Sequence, residues 1–332
     1  MHMADALLSP AVGGVMAAVS AAAVGLSVKK LGGRDFDEKK IPMMGVMGAF
    51  VFAGQMINFT IPGTGSSGHI GGGILLAAVL GPFPALLTLS AVLIIQCLFF
   101  ADGGLLALGC NIFNMGVCSC LIAWPLLFRP ILRRGVSRRR ITAASVLSVV
   151  LGLQLGAFCV VLETLASGVT ELPFGAFAAL MQPIHLAIGL VEGLVTAAVL
   201  CFLQDTRPEL LSASLDARRL DAGVSLKKVL IAFAVLAVVL GCGVSRYAST
   251  HPDGLEWSIQ TLTGSTELKR GDAAQEKADS SEDTAAPPDH TGESDGTPAA
   301  GLIGSALTLA AAGGAGWAIR AVRKKKHSGD KN

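Results

Sequence analysis

The chain has 332 residues, of which 52% are apolar and only 15% charged, with a formal net charge of +2. Soluble domains average about 25% charged residues, so this composition excludes an ordinary soluble enzyme and is that of an all-α polytopic membrane protein. The net charge itself carries little; the placement of the charges along the chain carries more.

Apolar runs of about 17 to 25 residues mark the spans. Leu7 to Val28 is the first. Ala21-Ala22-Ala23 resembles a signal cleavage site, but the segment lacks a basic n-region and carries Asp5, so it is expected to be retained. The loop Lys29 to Lys40 holds five cationic residues, and Met43 to Phe59 is the second span. Thr60 to Gly68 is a Pro/Gly/Ser loop ending at His69. Residues 70–100 are apolar but broken by Gly81-Pro82-Phe83-Pro84, and at 1.5 Å per residue they exceed one crossing, so they divide into Ile70–Leu80 and Ala85–Phe100. Leu105–Phe128, Ile141–Leu165 and Phe177–Leu203 follow, the first two separated by a loop with six arginines. A mixed polar linker, 204–228, leads to an eighth span, Val229–Val244. Residues 247–300 are acidic, and Thr266 to Ala300 is expected to be disordered because too little apolar surface offsets the ordering entropy. Leu302–Ile319 is the ninth span, ahead of a basic tail.

The positive-inside rule fixes the orientation. Nine crossings with an extracytoplasmic N-terminus put every basic loop, the 204–228 linker and the C-terminal tail in the cytoplasm, and Met1, His2 and His69 together outside.

All seven cysteines lie in apolar stretches without a Cys-x-x-Cys pair and read as small buried residues. No Walker A pattern occurs, so ATP hydrolysis is expected from another subunit, and nothing pairs a nucleophile with a general base.

Met1-His2 offers three nitrogens in a row: an α-amine, the backbone nitrogen of His2 and its imidazole. A second imidazole would complete a planar four-nitrogen site suited to Ni(II) or Cu(II), with Co(II) a softer fit, whereas Zn(II) prefers a tetrahedron. His69, in Gly65-Ser66-Ser67-Gly68-His69-Ile70-Gly71-Gly72-Gly73, is the candidate; a loop histidine bonded to a carbonyl is the alternative. Asn58, Asn111 and Asn114 are candidate orienting donors, or else ties between helices. His185 and Glu192, seven apart on one helix face, read as a buried pair or a contact to a partner subunit.

Several stretches carry a resemblance: Met1-His2-Met3, Ile41-Pro42-Met43-Met44-Gly45-Val46 through Gln55-Met56-Ile57-Asn58-Phe59, Ser67-Gly68-His69, Phe100-Ala101-Asp102-Gly103-Gly104 and Gly109-Cys110-Asn111-Ile112-Phe113-Asn114-Met115-Gly116. Over about residues 1–203 they resemble the CbiM/NikM family, the substrate-capture subunits of nickel and cobalt energy-coupling factor (ECF) transporters. Pro252-Asp253-Gly254-Leu255-Glu256 resembles the motif of the NikN-type accessory subunit, here fused over 229–326 through the 204–228 linker. The resemblance implies a seven-helix bundle like other ECF substrate-binding components plus two further transmembrane helices, in a bacterial cytoplasmic membrane. It implies Ni(II) or Co(II) as transported substrate, nickel favoured by the fusion, with no organic cofactor. It implies Met1, His2 and His69 as ligands, with Ser67 and the three asparagines around them. The implied partners are a transmembrane coupling subunit (CbiQ/NikQ-like), a cytoplasmic ATPase (CbiO/NikO-like) and the bilayer, with no nucleic acid. Uptake of an organic or vitamin-like solute, and a membrane assembly or sensor role for the acidic segment, are the competing readings.

Overall fold

The computed structural model of the chain describes residues 2–32, 37–221, 223, 225–265 and 297–329. Met1, and most of the stretch expected to be disordered, 266–296, lie outside the described residues. Residues 297–300 are helical, because the last helix begins five residues before its apolar run and carries Pro298 in its first turn, where the missing N–H costs nothing.

Residues 2–8 do not fray. Met3, Leu7 and Leu8 are 0%, 1% and 1% exposed. They are followed by α1 (Pro10–Leu31), started by the Ser9 cap and Pro10 and ended with Lys29 and Lys30 against its negative dipole end. Helix α2 (Lys40–Gln55) leads to a hairpin of β1 (Phe59–Ile61) and β2 (Ser66–Gly68), antiparallel with Phe59 opposite Gly68 and Ile61 opposite Ser66. Then come α3 (Gly73–Leu80), α4 (Pro82–Phe100), α5 (Leu108–Arg133), α6 (Arg138–Ser167) and α7 (Phe174–Thr206). The expected linker contains α8 (Pro208–Leu215), which buries Leu210 and Leu211. The remaining elements are α9 (Lys227–Cys242), α10 (Gly254–Thr263) and α11 (Thr297–Gly329).

Seven helices among the described residues are long and apolar enough to cross a bilayer: α1, α4, α5, α6, α7, α9 and most of α11. The other two expected spans are shorter. Helix α2 has 16 residues, and α3 has eight, roughly 12 Å at 1.5 Å per residue, well under a 30 Å hydrocarbon core. All eight residues of α3 are buried. It starts at Gly73 and not at Ile70 because Gly72 turns the backbone left-handed (φ 75°) against Val51, where any side chain would collide. Its far end meets the start of α2, with Lys40 Nζ donating to the Leu80 carbonyl at 3.0 Å, so α3 runs antiparallel to α2. The polypeptide thus dips into the bundle as the β1–β2 hairpin and its following loop, and α3 completes the passage. Irregular backbone at such depth survives only inside protein.

Large apolar side chains point outward on α1, α4, α5, α7, α9 and α11, among them Val15, Phe99, Leu126, Leu194, Val235 and Ile303. This is the surface of a bundle solvated by lipid. Helices α9 and α11 pack on α2, with the Gly45 backbone facing the Leu309 carbonyl and the Ser305 hydroxyl donating to the Ala49 carbonyl at 3.3 Å. Small residues permit this approach. An exposed ion pair, Arg320 to Glu38 at 2.7 Å, adds little.

Candidate metal centre

Two loops deliver the histidines. The first is residues 2–8, pinned from both sides. Asn111 of α5 accepts the Met3 N–H at 2.7 Å and donates to the Met3 carbonyl at 3.1 Å, while Asp5 accepts the Ala107 N–H at 2.8 Å. The second loop leaves β2. Gly68 lies against Ile188 of α7 so closely that an added Cβ would sit 2.5 Å from it, so only glycine lets the chain reach His69 here. Beyond His69, the buried Glu192 carboxylate accepts the N–H groups of both Gly71 and Gly72 at 2.8 Å. Two donors on one carboxylate hold this turn rigidly.

The result is that His2 and His69, 67 positions apart, stack with ring centroids 5.1 Å apart and planes 20° from parallel. His69 Nδ1 lies 3.1 Å from the Ile70 carbonyl, which makes Nδ1 the protonated nitrogen and leaves Nε2 with its lone pair. His2 Nδ1 lies 3.3 Å from Asp102 Oδ1, at the half-exposed mouth of the site. Burial holds the His2 imidazole below its ordinary pKa, with the Asp102 charge pulling the other way. Burial, and then the neighbouring His2 ring, also lower that of His69. Both rings are therefore neutral near neutral pH, the form that binds metal. The arrangement offers two uncharged, partly buried imidazoles side by side, with one carboxylate at their edge.

The other expected residues are placed as follows. Met1 lies outside the described residues. Asn111 holds the backbone of Met3 next to His2. Asn114 is committed deeper in the bundle, donating to Glu163 Oε2 of α6 at 2.8 Å. Ser67 and Asn58 face the fused C-terminal region: the Ser67 N–H donates to the Pro252 carbonyl (2.8 Å) and its hydroxyl to that of His251 (2.7 Å), while the Asn58 carbonyl accepts the Ser249 N–H (2.8 Å). His185 and Glu192 are not a pair. The imidazole Nδ1 donates to the Met181 carbonyl one turn back, and two helical turns separate it from a carboxylate already engaged by Gly71 and Gly72.

Asp102 was not apparent from spacing alone; its signal was the Ala101-Asp102-Gly103-Gly104 turn, whose left-handed Ala101 brings the carboxylate back over His2. The Pro-Asp-Gly-Leu-Glu motif also has a local explanation. Pro252 presents a carbonyl to the edge of β2, and Asp253 caps α10 by accepting from Leu255 N (2.8 Å) and Glu256 N (2.9 Å). Glu256 closes the capping box, Leu255 is buried, and Gly254 lets α10 approach Ile184, His185 and Ile188 of α7.

The chain is a helical membrane bundle with two imidazoles stacked at one end, and similarity to known proteins sets it among the metal-uptake membrane components. Residues 2–210 match the family described as the cobalt uptake substrate-specific transmembrane region, and the chain belongs to that family; residues 227–321 match the PDGLE domain. The chain is 33% identical over 281 residues (79% of this chain, 77% of the relative) to the fused nickel transport protein NikMN of Rhodobacter capsulatus. It is 30% identical over 277 residues, with the same two coverages, to the cobalt transport protein CbiM of Geobacter sulfurreducens. A solved structure of a truncated transition metal transporter aligns with a TM-score of 0.55 at 30% identity, covering 62% of this chain and 99% of that one.

Proposed function

We propose that this chain captures Ni(II), in preference to Co(II), as the cargo of an energy-coupled transporter, and holds it in a square-planar set of four nitrogens: the Met1 amine, the His2 backbone nitrogen, His2 Nδ1 and His69 Nε2. The stacked ring pair carries the reading. Two imidazoles on neighbouring corners of a square, with metal–nitrogen bonds of about 2 Å, have centroids roughly 4.5 Å apart, and the His2 and His69 centroids are 5.1 Å apart without metal. A backbone nitrogen and an imidazole of the same residue chelate one ion only through Nδ1, and that atom of His2 faces Asp102, which would meet an arriving cation. Such a strong-field planar set suits Ni(II) best. The relatives described as nickel transport proteins with the same fused arrangement support nickel over cobalt.

The basic residues Lys29, Lys30, Lys39 and Lys40 lie at the end of α1 and α2 remote from the histidines, which supports an extracytoplasmic site in a bacterial cytoplasmic membrane. Partners supply the driving force: a membrane coupling subunit and a cytoplasmic ATPase. We divide the chain into a metal-binding bundle (1–203), a linker (204–228) and an accessory region (229–326); the two family matches, over 2–210 and 227–321, support a division near these positions.

The test is nickel binding by calorimetry and metal content on protein whose N-terminus is unmodified. Acetylation of Met1, or one residue added before it, is expected to abolish binding, and His69→Ala to weaken it by at least tenfold. Undiminished binding by the acetylated protein would remove the amine from the site.

A further inference from the structure

A cavity of about 240 Å³ lies at the end of the bundle remote from the histidines. It is framed by the last turn of α1, the start of α2, the turn between α3 and α4, and the residues just after α8. The span α1 ends at Leu31 and the span α4 begins at Pro82, so the cavity sits where hydrocarbon gives way to lipid headgroups.

The charges around it do not balance. Among the described residues that line it, Lys30, Lys40 and Arg218 are cations and Asp37 is the one carboxylate. Asp37 is committed to backbone: its oxygens accept the Lys39 N–H at 3.0 Å and the Leu220 N–H at 2.9 Å, which ties the start of α2 to the segment after α8. Lys40 is 8% exposed, and the Leu80 carbonyl takes one of the three N–H groups of its ammonium. A buried ammonium with donors left over is stabilised by an anion beside it. Lys30 leans over the wall of the cavity, its Nζ 5.9 Å from the centre of the Phe83 ring. Arg218 is exposed; Nη2 donates to the Ser212 hydroxyl at 3.0 Å, and Nε lies 3.6 Å from an equally exposed Asp216, a pairing worth little in water.

The rest of the lining is apolar, chiefly Leu31, Leu80 and the Pro-Phe-Pro start of α4. Cavities that enclose a whole organic ligand measure about 300–1,000 Å³, so this one suits the end of a larger molecule. Leu26, four residues before Lys30 and therefore on the same face of α1, is exposed and offers a surface to acyl chains. A phosphate ester on a glycerol backbone satisfies both halves of the lining, and basic pockets between helices at this level take anionic headgroups.

We propose that this cavity seats the phosphate headgroup of an anionic phospholipid, with the buried Lys40 against the phosphate, Lys30 and Arg218 at the rim, and the acyl chains along α1. The site requires only the headgroup level, so it stands whichever way the histidines face and whichever metal they bind. Delipidated full chain in detergent micelles is expected to unfold about 5 °C higher with saturating phosphatidylglycerol and to gain nothing from phosphatidylcholine. The double variant Lys30→Gln/Arg218→Gln removes two exposed cations and leaves the core intact. Its nickel binding and its unfolding midpoint without lipid are expected to match those of the unaltered chain. The phosphatidylglycerol concentration giving half the shift is expected to rise about fivefold for each cation removed. Equal gains from both lipids, or an unchanged lipid dependence in the double variant, would overturn the proposal. A shift matched by inorganic phosphate at the same concentrations would make the occupant a free anion. No shift with any of the three would leave the cations to an acidic segment of a partner protein. Either of these results also overturns the proposal.

Discussion

At the scale of single residues, the site depends on backbone atoms being held as firmly as side chains. Asn111 spends both halves of its carboxamide on Met3. Asn111→Ala leaves a buried donor and acceptor unmet, so it is expected to cost about 2 kcal/mol of stability and to weaken nickel binding through the freed segment. Thermal unfolding and calorimetry of the same preparation check both. Gly68→Ala places a methyl 2.5 Å from Ile188 and is expected to displace His69; combining it with Ile188→Ala should recover nickel binding. Failure of that rescue would show that the packing contact is not what positions the loop. The buried rings also fix a pH dependence. His2 and His69 are held below the ordinary imidazole value of about 6.5, chiefly by burial. As the pH falls through that value the unfolded chain gains protons that the folded chain refuses, so stability is present above it and is lost below it. The unfolding midpoint of metal-free protein is expected to drop between about pH 7.5 and 5, and the double variant His2→Gln/His69→Gln to flatten that slope.

At the scale of elements, the long apolar runs identified α1, α4, α5, α6, α7, α9 and α11 because lipid demands length and lack of charge, both of which are written locally. Helix α3 was legible as a separate piece from Gly81-Pro82, but not its length. That depends on Gly72 meeting Val51, a contact between residues 21 apart. The histidine pair was legible for a similar reason, since topology alone puts His2 and His69 on one side. Glu192 was read only against His185 on its own helix, and no spacing connects 55, 96 and 192; the meeting of Gln55 with Gln96, and of Glu192 with the Gly71–Gly72 turn, is a product of helix packing. Helix α1 makes a further prediction. Gly14, Ala18 and Ala22 recur every four residues on its exposed face, the pattern by which membrane helices approach one another. Ala18→Trp is expected to prevent co-purification with a coupling subunit while leaving nickel binding unchanged. Normal assembly would locate the docking surface elsewhere.

At the scale of the molecule, α2 is gripped between the metal-binding bundle on one side and α9 with α11 on the other, while the 249–256 segment lies along the hairpin that carries His69. The accessory region is thus attached at the membrane and at the site. Asp253→Ala removes the cap of α10 and is expected to cost about 1 kcal/mol, and hydrogen exchange should report loosening across residues 249–263 and in the β2 edge that they cover. The parts of the site are also scattered in the order of synthesis: His2 comes first, then the 69–72 turn, Asp102, Asn111, Glu192 and finally Pro252. At 5–20 residues per second, roughly 10–50 s separate the emergence of the first and last of these. A nascent chain therefore carries His2, and later His69 with it, through more than half of its synthesis without the Glu192 carboxylate that holds the Gly71–Gly72 turn, and a product truncated before the seventh helix is expected to bind nickel more weakly than the full chain, which metal content of the two would check.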